Sequence, residues 1–246
     1  MNGVSMGATV GGIAAGASIV HGTVQGTTSA YVGPYVEIGQ EPGQTVGSVS
    51  LTSAGTSALN SNAQALSVGL ASGSGAVATA ETGGQTSAYV GTGATLEVGA
   101  LLVQATAADT ATATSAATAG GLIGDGDNDA SASVTSGVSA YLGDNVFVDA
   151  AGNVRVEAKA SPEVDATTTG VAAGGVAVGG SLSDVTIDSA VAAYIGAESV
   201  VQAGGSVTIS AMTREDSPGG RGRYLLRLLR GISRRLCRGP GQPGQS

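Results

Sequence analysis

The sequence predicts an all-β fold: a repetitive parallel β-helix (solenoid) fragment followed by a non-repetitive basic tail. Three observations carry that reading. A tyrosine-centred motif recurs four times at nearly constant spacing. Apolar and polar residues alternate with period two around it. The side chains available for a core are small, since 42 residues are glycine, one is phenylalanine and none is tryptophan. Ordinary globular cores rely on large side chains for their burial, so this chain must fold around a narrow interior. Collagen is excluded, because there are only 6 prolines and no glycine-every-third period. The many alternating valines and isoleucines argue against a disordered linker.

The first unit starts near residue 11 and reads GGIAAGASIVHGTVQGTTSAYVG to Gly33. The second starts near 69, GLASGSGAVATAETGGQTSAYVG, and the third near 121, GLIGDGDNDASASVTSGVSAYLG. The fourth starts near 174, GGVAVGGSLSDVTIDSAVAAYIG. Their tyrosines, Tyr31, Tyr89, Tyr141 and Tyr194, are 58, 52 and 53 residues apart. The first unit carries about five extra residues near GQEPGQTV, as expected of a loop insertion. Self-similarity at such a period marks a solenoid, here residues 1–213.

Within each unit the alternation gives the local state. Val185, Ile187, Ser189, Val191, Ala193 and Ile195 share one face, and Thr186, Asp188, Ala190, Ala192 and Tyr194 the other, which is strand periodicity. Downstream of Tyr141, Val146 and Val148, then Val154 and Val156, mark two strands around a turn at Ala151 to Asn153. Read as short strands, a 53-residue period holds two or three rungs of roughly 18 to 26 residues. About ten rungs would then make a body about 50 Å long.

Residues 214–246 break the pattern. RGRYLLRLLRGISRRLCRGPGQPGQS carries most of the arginines and the only cysteine, Cys237. Two readings stand: a natural tail, unstructured or a short basic amphipathic segment, and the product of a shifted reading frame. Residues 1–213 hold 16 acidic and 2 basic side chains, Arg155 and Lys159. A body this acidic should repel nucleic acid and anionic membrane, so neither is expected as a partner. No basic region precedes the first apolar residues, so no signal peptide is read there. No apolar run is long enough for a membrane helix.

Few residues carry chemistry. His21, the only histidine, has no second histidine or nearby cysteine to make a zinc site or triad with. Asp125, Asp127 and Asp129 imitate the first half of a calcium loop. Ala130 stands where that loop needs glycine, and Ser136 where it needs glutamate, so a solvated turn is the preferred reading. Asp184 and Asp188 are four apart on an alternating strand and could pair as acid and base. A sugar-cleaving site would also need basic or aromatic neighbours. The glycine runs lack the G-K-[ST] ending of a phosphate loop. The four tyrosines form a candidate surface ladder suited to sugar or protein contact.

GVAAGGVAVGGSLSDVTIDSAVAAYIG followed by AGGSVTISA resembles the repeat regions of large bacterial filamentous adhesins and autotransporter-like surface proteins, including leukotoxin-like filamentous adhesins. The resemblance spans roughly Gly3 to Ala211. It implies a secreted or outer-surface β-helical rod that serves in adhesion, without catalysis and without a cofactor. The implied partner is a protein or glycan of a host or neighbouring cell. A carbohydrate-active β-helix enzyme and a calcium-dependent exported β-array are the alternatives. Uncapped strand edges at the ends of such a rod would invite self-association.

Overall fold

A computed structural model describes residues 1–41, 46–214 and 223–224. Among these the chain is strand, turn and bend, wound into a parallel β-helix. The strands are β1 (Asn2–Val10), β2 (Ile13–Val32), β3 (Glu37–Ile38), β4 (Val49–Val68), β5 (Ala71–Val90), β6 (Thr95–Val98) and β7 (Leu101–Gly120). They continue as β8 (Ile123–Leu142), β9 (Phe147–Ala150), β10 (Val154–Ala160), β11 (Glu163–Ala173), β12 (Val176–Ile195), β13 (Val200–Ala203), β14 (Val207–Thr213) and β15 (Arg223–Tyr224). The rest of the basic tail lies outside the described residues.

Three parallel sheets form the walls. Sheet A runs β1-β4-β7-β10-β14, with β11 also on β7; sheet B runs β15-β12-β8-β5-β2; sheet C runs β13-β9-β6-β3. Each repeat visits A, B and C once and then stacks on its predecessor. Val49 pairs with Leu101 and Leu101 with Val154 in sheet A, while Tyr89 pairs with Tyr141 in sheet B. One repeat is therefore one circuit, which corrects the expectation of two or three rungs per period. Four circuits at ~4.8 Å give an axial height of about 20 Å, not 50 Å. The long strands are 20 residues each, about 66 Å from end to end. The body is a flat, wide coil. Between Ile38 and Val49 the offset to the second repeat falls from 58 to 52 residues, so the insertion sits in that connection.

Composition explains the flat cross-section. Sheets A and B meet at a sharp edge, turning at Gly69–Leu70 and Gly121–Leu122, and diverge towards a blunt edge closed by sheet C. Against the blunt edge the core is aliphatic, with Val90, Leu96, Leu101, Val103, Leu142, Val148 and Val154 buried. Towards the sharp edge it is mostly alanine, such as Ala63, Ala65, Ala76, Ala78, Ala113, Ala117 and Ala130. There the walls nearly touch. A Cβ on Gly7 of sheet A would lie 2.5 Å from the Ala17 carbonyl oxygen of sheet B, and one on Gly16 would lie 3.0 Å from that of Leu66. Glycine is what lets two backbones approach so closely. The glycine-rich runs thus continue as strand where short, broken strands were expected.

The turns stack as well. Tyr35, Gly93, Asn145 and Glu198, each four residues past a ladder tyrosine, all have positive φ between 54° and 71°. Asp144 Oδ1 accepts the Ala197 N–H at 2.7 Å, and Asn153 Oδ1 accepts the Ser206 N–H at 2.8 Å, tying each turn to the next circuit. In sheet A the column breaks once, at Ser161–Pro162 between β10 and β11. A proline has no N–H to give the ladder.

Candidate functional site

The outer face of sheet B collects most of the residues singled out in the sequence. Odd-numbered residues of β2, β5 and β8 and even-numbered residues of β12 point outward, and parallel register sorts them into columns. Tyr31, Tyr89, Tyr141 and Tyr194 form one column. Beside it stand Ser29, Ser87, Ser139 and Ala192. Farther along come Gln25, Gly83, Thr135 and Asp188, then Thr23, Glu81, Ser133 and Thr186, then His21, Thr79, Ser131 and Asp184.

The tyrosines make a continuous stack. Successive ring centroids are 5.2, 5.0 and 4.9 Å apart, with interplanar angles of 7°, 3° and 2°. Rings this parallel cover one another's faces. Tyr89 and Tyr141 therefore present only their edges and hydroxyls, and only Tyr31 and Tyr194 keep one open face. A sugar stacking flat on an aromatic face, as the ladder suggested from sequence, has room only at the two ends. Along its length the ladder offers a row of phenol edges beside serines. Burial, and then the neighbouring Tyr194 and Tyr89, raise the pKa of the Tyr141 hydroxyl above the ordinary 10.0. Burial, and then Asp144, raise that of Tyr194. Both phenols are held neutral at physiological pH.

Asp125, Asp127 and Asp129 lie on β8, which corrects the reading of that stretch as a turn. Alternation points all three outward in a row, about 6.6 Å from one to the next. Asp127 Oδ1 accepts the Gly180 N–H at 3.2 Å. Asp127 and Asp129, with Gly75 and Gly180, line a shallow groove of about 310 Å³. Among the described residues no three His, Cys, Asp or Glu side chains are grouped so as to hold a metal ion.

His21 is exposed on β2, with its Nε2 3.5 Å from Thr23 Oγ1. Asp184 and Asp188 are exposed on the outer face of β12. The two basic residues of the body are not near them. Arg155 and Lys159 point outward from β10 in sheet A, where Arg155 pairs with Glu157 at 2.7 Å. Arg155 and Lys159 thus stand on a different wall from Asp184 and Asp188.

Two features were not legible in the sequence. Asp109 points into the core and is buried. Its carboxylate accepts the Ser57 N–H at 3.0 Å and the Ser136 hydroxyl. Its alternating position among alanines was the available signal. The sharp edge carries exposed apolar residues in every circuit, among them Ile13, Leu70, Leu122 and Val176. The recurring Gly-Leu pairs marked it.

Compared with known proteins, the chain matches no family model, no curated protein and no solved structure.

Proposed function

We propose that the chain is a structural and adhesive rod segment of a secreted or cell-surface bacterial protein, which acts by presenting a periodic surface. One observation carries this reading: equivalent residues stack in register through four circuits, so that sheet B displays one unbroken column of tyrosines beside columns of mixed, mostly polar residues. Such a coil lengthens by adding repeats without changing its surface, which suits a spacer bearing adhesive contacts. The separation of Arg155 and Lys159 from Asp184 and Asp188 supports presentation over sugar cleavage, since a glycosidic site needs these groups converging on one substrate. The partner is a protein or glycan of a facing cell, met by the phenol edges and the serine column.

Beads coated with the chain test this against a panel of immobilised cell-surface glycans and glycoproteins. Retention on a subset is expected, with loss in a Ser87→Lys, Ser139→Lys variant that covers the column beside the ladder. Retention on none, or equal retention of the variant, overturns the adhesive reading. Release of new reducing ends from a polysaccharide overturns the reading as a non-enzyme.

A further inference from the structure

The stacked tyrosines carry a chemistry that contact with a partner does not use. A phenol is oxidised by loss of one electron and one proton. The unpaired electron then lies on the oxygen and on the ring carbons, including the two Cε carbons beside the hydroxyl-bearing one. Two such radicals join carbon to carbon where those edges meet. In this coil the edges are held together in pairs. Tyr89 and Tyr141 are register partners on adjacent strands. Their ring centroids are 5.0 Å apart and their planes 3° from parallel. Strand spacing holds their anchors about 4.8 Å apart. Each Cε carbon therefore stands over its counterpart in the next circuit. Both rings are partly exposed, and their exposed part is the hydroxyl edge, because neighbouring rings cover both faces. The carbons that bond and the oxygens that release protons thus meet solvent together.

The body offers a one-electron oxidant few other targets. The sequence has no tryptophan, and its one cysteine, Cys237, lies in the basic tail. Met6 and Met212 are exposed, but a thioether takes up an oxygen atom and does not couple. Tyr35, 78% exposed, stands in a turn outside the column.

We propose that the tyrosine ladder is an oxidative cross-linking site, at which a peroxidase with hydrogen peroxide joins Tyr89 to Tyr141 as dityrosine. Each phenol gives up its O–H hydrogen, as one electron and one proton. A bond forms between one Cε of each ring. The two hydrogens on those carbons move to the oxygens, which restores both phenols. The peroxide O–O bond breaks and takes up the two electrons and two protons as two waters. The anchors stay on their strands while the rings close at their far edges. The chain loses two hydrogens and gains a staple between adjacent circuits. The staple closes 52 residues of sequence, so it restricts the unfolded chain as a disulfide does.

The test is oxidation of the full chain, in dilute protein, by a haem peroxidase with hydrogen peroxide. Two variants are compared, each keeping two tyrosines. The first keeps Tyr89 and Tyr141 and carries Tyr31→Phe, Tyr35→Phe, Tyr194→Phe and Tyr224→Phe. The second keeps Tyr31 and Tyr141, two circuits or about 10 Å apart, with Tyr89→Phe between them and the other three changes retained. Phenylalanine preserves the ring stack, so far-UV circular dichroism should match the parent in both. The first variant should show dityrosine fluorescence, a mass lower by two hydrogens, and a cross-linked peptide joining residues 89 and 141. Its intrachain yield should exceed that of the second about tenfold or more. Its urea midpoint should rise after oxidation. No intrachain product in the first variant overturns the proposal, as does dityrosine found only between chains. Equal yield in the second variant overturns it too, because coupling would then need no register between circuits. An unchanged midpoint in the linked chain overturns the staple.

Discussion

Replacing Tyr141 with alanine removes a ring that is stacked on both faces, at 5.0 Å from Tyr89 and 4.9 Å from Tyr194. Tyr31 has one such neighbour, at 5.2 Å. An aromatic pair contributes about 0.5–1.5 kcal/mol beyond its buried area. Tyr141→Ala therefore forfeits about 1–3 kcal/mol of stacking, and Tyr31→Ala about half of that. Tyr141→Leu separates the terms, because it keeps apolar cover and loses only the ring contacts. Stability in a coil is close to a sum over neighbouring circuits, so the interior substitution weakens two junctions and the terminal one weakens a single junction. Urea unfolding followed by far-UV circular dichroism, in dilute protein, reads the difference. Tyr141→Ala should lower the midpoint about twice as far as Tyr31→Ala, with Tyr141→Leu in between. Equal shifts, or a larger one at Tyr31, would refute cross-circuit stacking as the ladder's contribution.

The two tyrosines with raised pKa values predict alkaline sensitivity. The fold favours their neutral forms, so this stabilisation is complete below pH 10.0 and is lost as pH rises through the folded-state values. The urea midpoint should fall above that pH, and less so in a Tyr141→Phe, Tyr194→Phe variant; an identical fall would contradict it. Gly91→Ala should destabilise by about 1–3 kcal/mol, because its Cβ would sit 2.5 Å from the Pro34 nitrogen and 2.7 Å from the Gly33 carbonyl carbon. Gly26→Ala meets nothing within 4 Å and should be neutral or stabilise by up to about 1 kcal/mol. Thermal unfolding of the two variants checks the contrast. Ser136→Ala leaves the buried Asp109 carboxylate with the Ser57 amide alone and should cost about 1–3 kcal/mol in urea unfolding; no change would mean that the carboxylate finds another donor.

The class of fold was legible because period-two alternation and a constant offset are direct consequences of strand pleat and rung stacking. Val185, Ile187, Ser189 and Val191 are buried, and Tyr194 faces out, as their alternation required. Strand length was not legible. Runs such as Gly174 to Ser181 contain no β-branched residue except two valines, and glycine usually weakens a strand. Only the narrowness of the space between sheets A and B explains why the pattern continues through them, and that space is a tertiary property. The error in rung count followed from the same cause. The tyrosine column was readable from spacing, but the ring stacking that closes its faces depends on the 4.8 Å rise between circuits. Asp109 was missed because its partners, Ser57 and Ser136, come from other circuits and another wall.

One circuit per repeat is tested most directly by a disulfide between Ser87→Cys and Ser139→Cys, with Cys237 replaced by serine. These positions are register partners on adjacent strands. Their Cα atoms stand about 4.8 Å apart, inside the range of roughly 4.4–6.8 Å that a disulfide spans. Mild oxidation should link them rapidly within one chain, seen as a mobility shift reversed by reductant. With two or three rungs per repeat the same residues would be about 10–14 Å apart. Failure to link in the folded protein would contradict the single-circuit coil.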